Sequence, residues 1–355
     1  MTRSVSNVRF AMLLCWGCGG TGEGADEPLR PDSVLTYNVY LGANIADALR
    51  ADTMTELAER VERAYSQFQA NDFTARAVSI ADRIAEENPS LVGLQEMVAV
   101  YVQPVGDRLE GGETPAQDLV IDFQDVLLAE LQGRGLDYRV AARTENSDIE
   151  VPSASGEDIR VIDHDVILAR GDIAVTDTKS ERYIARLPLP MPDRKSTIDL
   201  IRGFVAVDVT LQGTSTLFVN THLEVSSAEP VQLAQAAELL AWLAPQSEPV
   251  ILVGDFNSEG DPGESSATYD VVEEAGYTDA WKLRGNPSAP GFTCCQDGNL
   301  RNPESHLDRR IDFVWFLGTL PSLPDVNTVG DQLSERTPSG VWPSDHAGVV
   351  ASFTQ

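Results

Sequence analysis

Cysteine and histidine are scarce, with four of each among 355 residues. Four cysteines cannot staple a chain this long into a disulfide-dense scaffold, so the fold must rest on a hydrophobic core, which a chain of this size can bury. Long apolar runs are missing too. No stretch of about 18 or more apolar residues occurs, which excludes a transmembrane helix. Positive charge is the third shortage: 26 Lys and Arg stand against 55 Asp and Glu, a net of −29. So acidic a chain is not held to nucleic acid or anionic lipid by overall attraction, and phosphate chemistry on it needs a metal ion or local basic groups. The rest of the composition, 42% hydrophobic and 23% charged, is that of a globular protein. The length suits one large domain or two small ones.

The start of the chain reads as a leader. Met1 to Arg9 is basic without an acid, Phe10 to Trp16 is apolar, and Gly17-Cys18-Gly19-Gly20 follows. This order resembles a bacterial export signal over residues 1–18. Cys18, between glycines, resembles a lipoprotein attachment site, although Cys15 and Trp16 suit such a site poorly. The expectation is an exported protein, extracellular, periplasmic or on the outer surface of a bacterium, touching membrane only through that N-terminal lipid anchor. An unstructured tail or a misassigned start is the competing reading. Residues 19–32 read as an acidic, Gly-rich tether. Cys15-x-x-Cys18 has redox or zinc spacing but lacks a βαβ pattern or a second pair. Gly17-x-Gly19-x-x-Gly22 is followed by Pro28 and Pro31 where a dinucleotide fold needs a helix. Cys294 and Cys295 are adjacent, with α-carbons expected ~3.8 Å apart, so a bridge would be strained and diverging side chains argue against a shared metal. A vicinal disulfide and separate thiols both remain open.

From residue 33 to 355 no linker or repeat divides the chain. Ser33–Val39 alternates as a strand. Leu57, Val61 and Tyr65 give helical spacing over 52–69, and a second helix is expected from an N-cap at Thr74 to Asn88-Pro89. Leu91–Leu94 suits a strand buried on both faces. Further helices are expected at 118–131, 230–240 and 266–275. Further strands are expected at 138–142, 161–169, 204–209, 216–220, 249–253, 311–316 and 347–353, and surface loops at 105–117 and 144–160. Strands outnumber helices, which argues for sheets packed on each other with helices outside.

Side chains capable of catalysis recur just past these strands. Asn38 ends the first, and Glu96 follows Leu91-Val-Gly-Leu-Gln95. Asn220 and His222 end Leu217-Phe-Val219, and Asp255 and Asn257 end Val250-Ile-Leu-Val-Gly254. Asp312 lies in Arg310-Ile-Asp-Phe-Val314, and Asp345-His346 precedes the last strand. Any one has a plain explanation, since Asx residues favour turns and caps. Six such sites in one chain point to a cleft, because buried strand ends aim side chains from rigid backbone. Glu96 with Asp and Asn oxygens offers hard ligands for Mg²⁺, Mn²⁺ or Ca²⁺ rather than zinc. His222 and His346 can exchange protons near neutral pH, and Asp312 could orient His346 and raise its pKa. With no G-x-S-x-G elbow and no cysteine in a nucleophile setting, water is the expected nucleophile.

Thr36-Tyr-Asn38, Gly93-Leu-Gln-Glu96, Asn220-Thr-His222, Gly254-Asp-Phe-Asn257, Arg310-Ile-Asp312 and Ser344-Asp-His346 occur in a telling order. In kind and sequence they resemble the endonuclease/exonuclease/phosphatase superfamily, which includes DNase I, abasic-site endonucleases, neutral sphingomyelinases and inositol-polyphosphate 5-phosphatases. The resemblance spans about residues 33–354. It implies an α/β four-layer sandwich, two mixed sheets flanked by helices, with a divalent-metal phosphoesterase site at one edge. Carried over by position, it implies that Glu96, supported by Asn38, holds the metal, with Asp345 beside it at an optional second ion. It implies that Asp255 positions or deprotonates water and that Asn257 bonds the phosphate. His346, oriented by Asp312, would stabilise charge or transfer a proton. His222 would bind phosphate or protonate the leaving oxygen, and Asn220 would join it at the phosphate. His164 and Arg170 are equally placed to line the cleft or sit on an edge strand; His306 is left out.

The expected partner is a phosphoester, with nucleic acid the first candidate and no obligate protein partner in view. A secreted nuclease would need a basic rim, drawn from Arg301, Arg309 and Arg310 or from Arg182, Arg186, Arg194 and Lys195, because screening over about 8 Å lets local charge prevail. A lipid phosphodiesterase would need an exposed apolar loop, for which Trp342 and Phe292 are the candidates. A phosphomonoesterase would need clustered lysines, and an inactive binding module would not need both histidines. The helical insert at 44–72 either walls the cleft or packs outside it.

Overall fold

The computed structural model describes residues 32–247, 249–260, 265–284, 289–319 and 324–353, side chains excepted at 46, 47 and 324. The leader, Cys18 and nearly all of the tether lie outside the described residues. Residues 31–355 pack as one compact unit. The chain runs through β1 (Asp32–Asn38), α1 (Ile45–Ala48), α2 (Met54–Ala70), α3 (Phe73–Glu87), β2 (Leu91–Gln95), β3 (Ala99–Gln103) and β4 (Asp118–Asp122). Then come α4 (Phe123–Gly133), β5 (Tyr138–Pro152), β6 (Asp158–Arg170), β7 (Val175–Arg182), β8 (Leu187–Pro190) and β9 (Thr197–Leu200). The rest is β10 (Gly203–Leu211), β11 (Thr214–His222), α5 (Glu229–Leu243), β12 (Val250–Asp255), α6 (Ala267–Glu274) and β13 (Thr278–Asp279), closed by β14 (Asp312–Leu317), β15 (Pro324–Val329) and β16 (Gly348–Phe353).

One sheet has the order β15-β16-β1-β2-β6-β3-β4 with β5 also on β6; the second runs β13-β14-β12-β11-β10-β7. Strand alternation divides the apolar residues between faces. Val34, Leu91 and Val349 of the first sheet meet Phe218, Ile251 and Val314 of the second in the central core. Leu35 and Leu94 face outward onto Leu57, Ile80 and Leu127 of the helices. The outer face of the second sheet packs Val219 and Leu252 on Leu239 of α5 and Val272 of α6. Helix, sheet, sheet and helix make four layers, as the sequence resemblance implied. Each fully buried aliphatic side chain contributes roughly 1.5–3 kcal/mol. At one point the sheets nearly touch: a β-carbon on Gly93 would lie 2.6 Å from Val253 Cγ2 and 2.9 Å from Asn220 Oδ1.

Several local expectations change. The N-cap of α3 is Asp72, whose carboxylate accepts from the Ala75 amide at 3.2 Å, and not Thr74. The expected helix at 118–131 starts only at Phe123, because residues 118–122 pair with β3, a strand that single-sequence periodicity missed. Asp122 caps that helix, accepting from Gln124 N at 2.9 Å. The expected loop at 144–160 is instead two arms of the β5–β6 hairpin. Its polar residues pair across strands, Arg160 with Asp148 at 2.6 Å, so polarity there marks a solvated face rather than irregular backbone. Among the described residues no helix is long and apolar enough to cross a membrane.

Candidate active site

Strand register gathers the candidate residues. β1 and β2 are parallel with Asn38 opposite Gln95, which brings Asn38 to the same edge as Glu96. In the second sheet β11 and β12 are parallel, His222 opposite Asp255, and antiparallel β14 sets Asp312 opposite Asp255. β16 runs antiparallel to β1, so the residues just before it, Asp345 and His346, return to that edge. The site therefore lies across the seam between the two sheets. Asn38 spans it, donating from Nδ2 to Asp255 Oδ2 at 3.0 Å and to Glu96 Oε1 at 3.3 Å.

The loops that carry these groups are themselves held. Glu96 sits at φ 58°, and its Oε2 accepts from the Leu41 amide at 2.6 Å. Ser344 Oγ donates to the Asn38 carbonyl at 2.7 Å and accepts from the His346 amide at 3.2 Å. Arg76, buried on α3, donates to the carbonyls of Val39, Tyr40 and Pro343 at 2.6–2.9 Å, locking the exits of both segments. Thr293 Oγ1 accepts from the Ile311 and Asp312 amides at 3.1 Å each, and its carbonyl accepts from Ala347 at 2.7 Å. That loop also carries Cys294 and Cys295, whose sulfurs are bonded to each other. Of the two readings the sequence left open, the structure has the bridge; the joined sulfurs lie within 4.8 Å of a ring nitrogen of His346 and, without a thiolate, offer a metal nothing.

The two histidines are driven apart electrostatically. His346 Nδ1 lies 2.8 Å from Asp312 Oδ2, while Nε2 faces Asp255 at 3.8 Å and Asp345 at 4.0 Å. Burial opposes its charging, but Asp312, Asp255 and Asp345 outweigh it and raise the pKa well above the ordinary value, so the ring is an imidazolium at neutral pH. His222 is the reverse. Burial first, then Arg202, pushes its pKa well down. Arg202 Nη1 donates to His222 Nδ1 at 2.9 Å, and a guanidinium cannot accept. The proton of the neutral ring therefore sits on Nε2 and faces Asp255 Oδ2 at 3.5 Å, while the Asn257 amide nitrogen beside it donates to the Leu223 carbonyl at 3.0 Å. Burial, then Asp312, raises Asp255 to about 6, and burial raises Asp345 to about 7. Burial also raises Glu96.

This chemistry fits a hard cation. Carboxylate oxygens of Asp255 and Asp312 lie within 4.8 Å of each other and of a ring nitrogen of His346. Asp312 Oδ1 is buried with no hydrogen-bond donor among the described residues, and Glu96 and Asp345 add raised carboxylates alongside. Carboxylates that are crowded, buried and short of donors are relieved by a divalent ion.

Asn220 takes a different place from the one expected. It is fully buried; Nδ2 donates to the Leu94 and Val166 carbonyls at 3.0 and 3.1 Å, and Oδ1 accepts from Gln95 at 2.6 Å. Its amide is spent joining the sheets and has nothing left for phosphate. Asn257 stands at φ 50° with its amide donating to Asp255 Oδ1 at 2.8 Å, so its side chain stays at the site. His164 bonds the Met97 carbonyl at 3.0 Å beside the Glu96 turn, whereas Arg170, at the other end of β6, bonds Asn88 and Asp172. His306 is exposed on Asp297. Arg310 is no rim residue: it is buried against Asp279 at 2.6 Å. Trp342 is fully buried, its indole bonded to Asn302, so it cannot face a membrane. Arg182 and Arg186 pair with Glu145 and Asp199. Sequence reasoning missed Arg202, Asp163 and Glu224. Arg202 lies 3.6 Å from Asp163 and 3.8 Å from Glu224. Its signal was faint: one arginine ahead of a strand whose partner strand ends in a histidine.

The profile of the endonuclease/exonuclease/phosphatase family matches residues 35–346. The chain belongs to that family. Solved structures agree on the fold. TDP2 from Caenorhabditis elegans is 17% identical with a TM-score of 0.50, covering 91% of this chain and 97% of that one. A family protein from Leptotrichia buccalis is 16% identical, TM-score 0.55, over 91% and 100%. A mannosyl-6-phosphatase from Bacteroides thetaiotaomicron is 18% identical, TM-score 0.50, over 91% and 100%. No curated protein matches by sequence. At these identities the neighbours establish the phosphoesterase fold of this family and not the substrate.

Proposed function

We propose that this protein is a divalent-metal-dependent phosphodiester hydrolase that uses water as nucleophile. The observation that carries the reading is the convergence of two differently held imidazoles on Asp255, His222 at 3.5 Å and bonded to Arg202, His346 at 3.8 Å and bonded to Asp312; the charges around them push their pKa values apart. Two titrating groups pushed in opposite directions in one cleft are the mark of divided acid–base roles. Asn38, Glu96 and Asp345 would hold the ion, which is Mg²⁺, with Mn²⁺ or Ca²⁺ as substitutes; when bound it would supply positive charge against the phosphate oxygens.

The chain's own groups do the rest. Asp255, with a pKa near about 6, accepts a proton from the attacking water. The imidazolium of His346, held by Asp312, faces the charge that develops on phosphorus-bound oxygen. Nε2–H of His222 and the side chain of Asn257 orient the phosphate. A bond forms from water oxygen to phosphorus, the ester P–O bond breaks, and the leaving oxygen takes its proton from an imidazole. A diester carries one negative charge and a monoester close to two. The site's cationic contacts, Arg202 and His346, are already matched to carboxylates, which favours the less charged substrate.

The test is hydrolysis of bis-p-nitrophenyl phosphate, mono-p-nitrophenyl phosphate, DNA and RNA, each with Mg²⁺, Mn²⁺, Ca²⁺ and chelator. The diester should be cleaved faster than the monoester, and chelator should abolish turnover; activity persisting in chelator would overturn the metal requirement. A secreted nuclease is one form of this proposal and would cleave DNA or RNA. Export and lipid attachment at Cys18 belong to the proposal as well. Cell fractionation with a Cys18→Ala comparison tests them, and an unchanged soluble cytoplasmic pool would reject them.

A further inference from the structure

The mouth of the site continues into an apolar pocket. Glu96, Ser147, Asp163 and Arg202 line the same cavity as Leu41, Ile45, Val98, Ile149 and Val161. Those five apolar residues also line a second cavity, which reaches on to Val61, Tyr65 and Phe68 of α2. The space open to water-sized groups in this second cavity is about 50 Å³, several times the least that one water needs, which suits a slender chain. Among the described residues its lining is aliphatic and aromatic, with one tyrosine. The polar end is the opposite. Asp163 and Arg202 are paired at 3.6 Å, and Leu41, on the shared wall, donates its amide to Glu96 Oε2 at 2.6 Å. A phosphate at the Glu96–Asp255 edge would thus have an apolar channel formed by the two adjoining cavities, beginning at Leu41, whose amide bonds its metal ligand.

We infer that this channel takes an alkyl chain of the substrate, so that the preferred phosphodiester is an amphiphile with its phosphate at the site and its chain under the α1–α2 insert. The inference rests on the phosphodiesterase reading and names the substrate class within it. Continuity with the site selects the occupant. A separate peptide or nucleotide base would have to bury polar edges in a pocket that offers no partners, which costs free energy, whereas an alkyl chain loses nothing. The insert at 44–72 thereby gains a purpose: α1 and α2 provide Ile45, Val61, Tyr65 and Phe68, and the extended β5–β6 hairpin provides the facing wall through Ile149, Val151, Ile159 and Val161.

The experiment uses methyl, butyl and octyl esters of p-nitrophenyl phosphate below their critical micelle concentrations, with Mg²⁺. Full burial of a methylene is equivalent to about a fourfold gain; partial burial should still make kcat/KM for the octyl ester at least about 30-fold higher than for the methyl ester. Monomeric dodecylphosphocholine should bind wild-type protein by calorimetry and compete with the octyl ester. Ala64→Trp, which fills the pocket from α2, should flatten the chain-length series and abolish that binding, its melting curve being checked against wild type. A wild-type enzyme that cleaves the methyl ester with no chain-length dependence and binds no dodecylphosphocholine overturns the pocket assignment alone. Failure to cleave any of the esters overturns the phosphodiesterase reading, while dodecylphosphocholine binding still reports on the pocket. A chain-length series left intact in a folded Ala64→Trp protein places the chain elsewhere and also overturns the inference.

Discussion

Asp312 Oδ2 stands 2.8 Å from Nδ1 of His346, although 34 residues separate them. The contact fixes which nitrogen faces the cleft and which charge the ring bears. Asp312→Asn keeps the shape and removes the charge, and His346→Ala removes the ring. Each should lower kcat on bis-p-nitrophenyl phosphate by at least about 10²-fold. Because the two act as one unit, the double variant should cost little more than the worse single one. Additive losses would mean that the pair does not work together.

Metal binding should depend on pH in a direction the carboxylates set. Asp255 and Asp345, raised to about 6 and about 7, keep protons in the metal-free fold that they lose in the unfolded chain at lower pH. Over that window the unfolded state binds fewer protons, so these groups favour folding less as pH rises. A cation held by Glu96 and Asp345 would displace the proton of Asp345 and, by its charge, lower the pKa of Asp255 beside it. Millimolar Mg²⁺ should therefore raise the melting temperature by several degrees at pH 8 and scarcely at pH 5. His222, kept neutral by burial and Arg202, acts in the opposite sense, so the Mg²⁺-induced shift is the quantity to compare. Equal shifts at the two pH values would count against carboxylate ligation.

Asn220 and Asn257 should separate by readout. Asn220→Ala strands the Leu94 and Val166 carbonyls in the core and should cost about 1–3 kcal/mol in urea unfolding, with KM little changed. Asn257→Gly, which suits the φ of 50°, should largely spare stability and raise KM. A raised KM with unaltered stability for Asn220→Ala would restore it as a phosphate ligand.

Gly93 is where one sheet's backbone meets the other's side chains. Gly93→Val should lower stability by about 1–3 kcal/mol through overpacking against Val253, measured by thermal unfolding. An unchanged melting temperature would show that the sheets yield there.

Much of this architecture is legible without coordinates because buried strands are apolar on both faces and end in short polar motifs. β1, β2, β11 and β12 read cleanly, and Asn38, Glu96, His222, Asp255, Asp312 and His346 do meet at one edge. What escaped was non-local. β4 exists only through pairing with β3, and the polar arms of β5 and β6 are strands only because they face each other. Arg202 has no motif; its meaning comes from Asp163, His222 and Glu224, which arrive from other elements. Asn220 looked like its neighbour His222, but a register two residues back turns it into the sheet interface instead of the cleft.

Asn38 bonds one carboxylate from each sheet, Glu96 and Asp255. A slippage of a single ångström between the layers would break that bridge before either layer lost its internal ladder. Turnover is thus a gauge of interlayer alignment: gentle heating should silence the enzyme together with loosening of the central apolar slab, well ahead of the melting of individual strands.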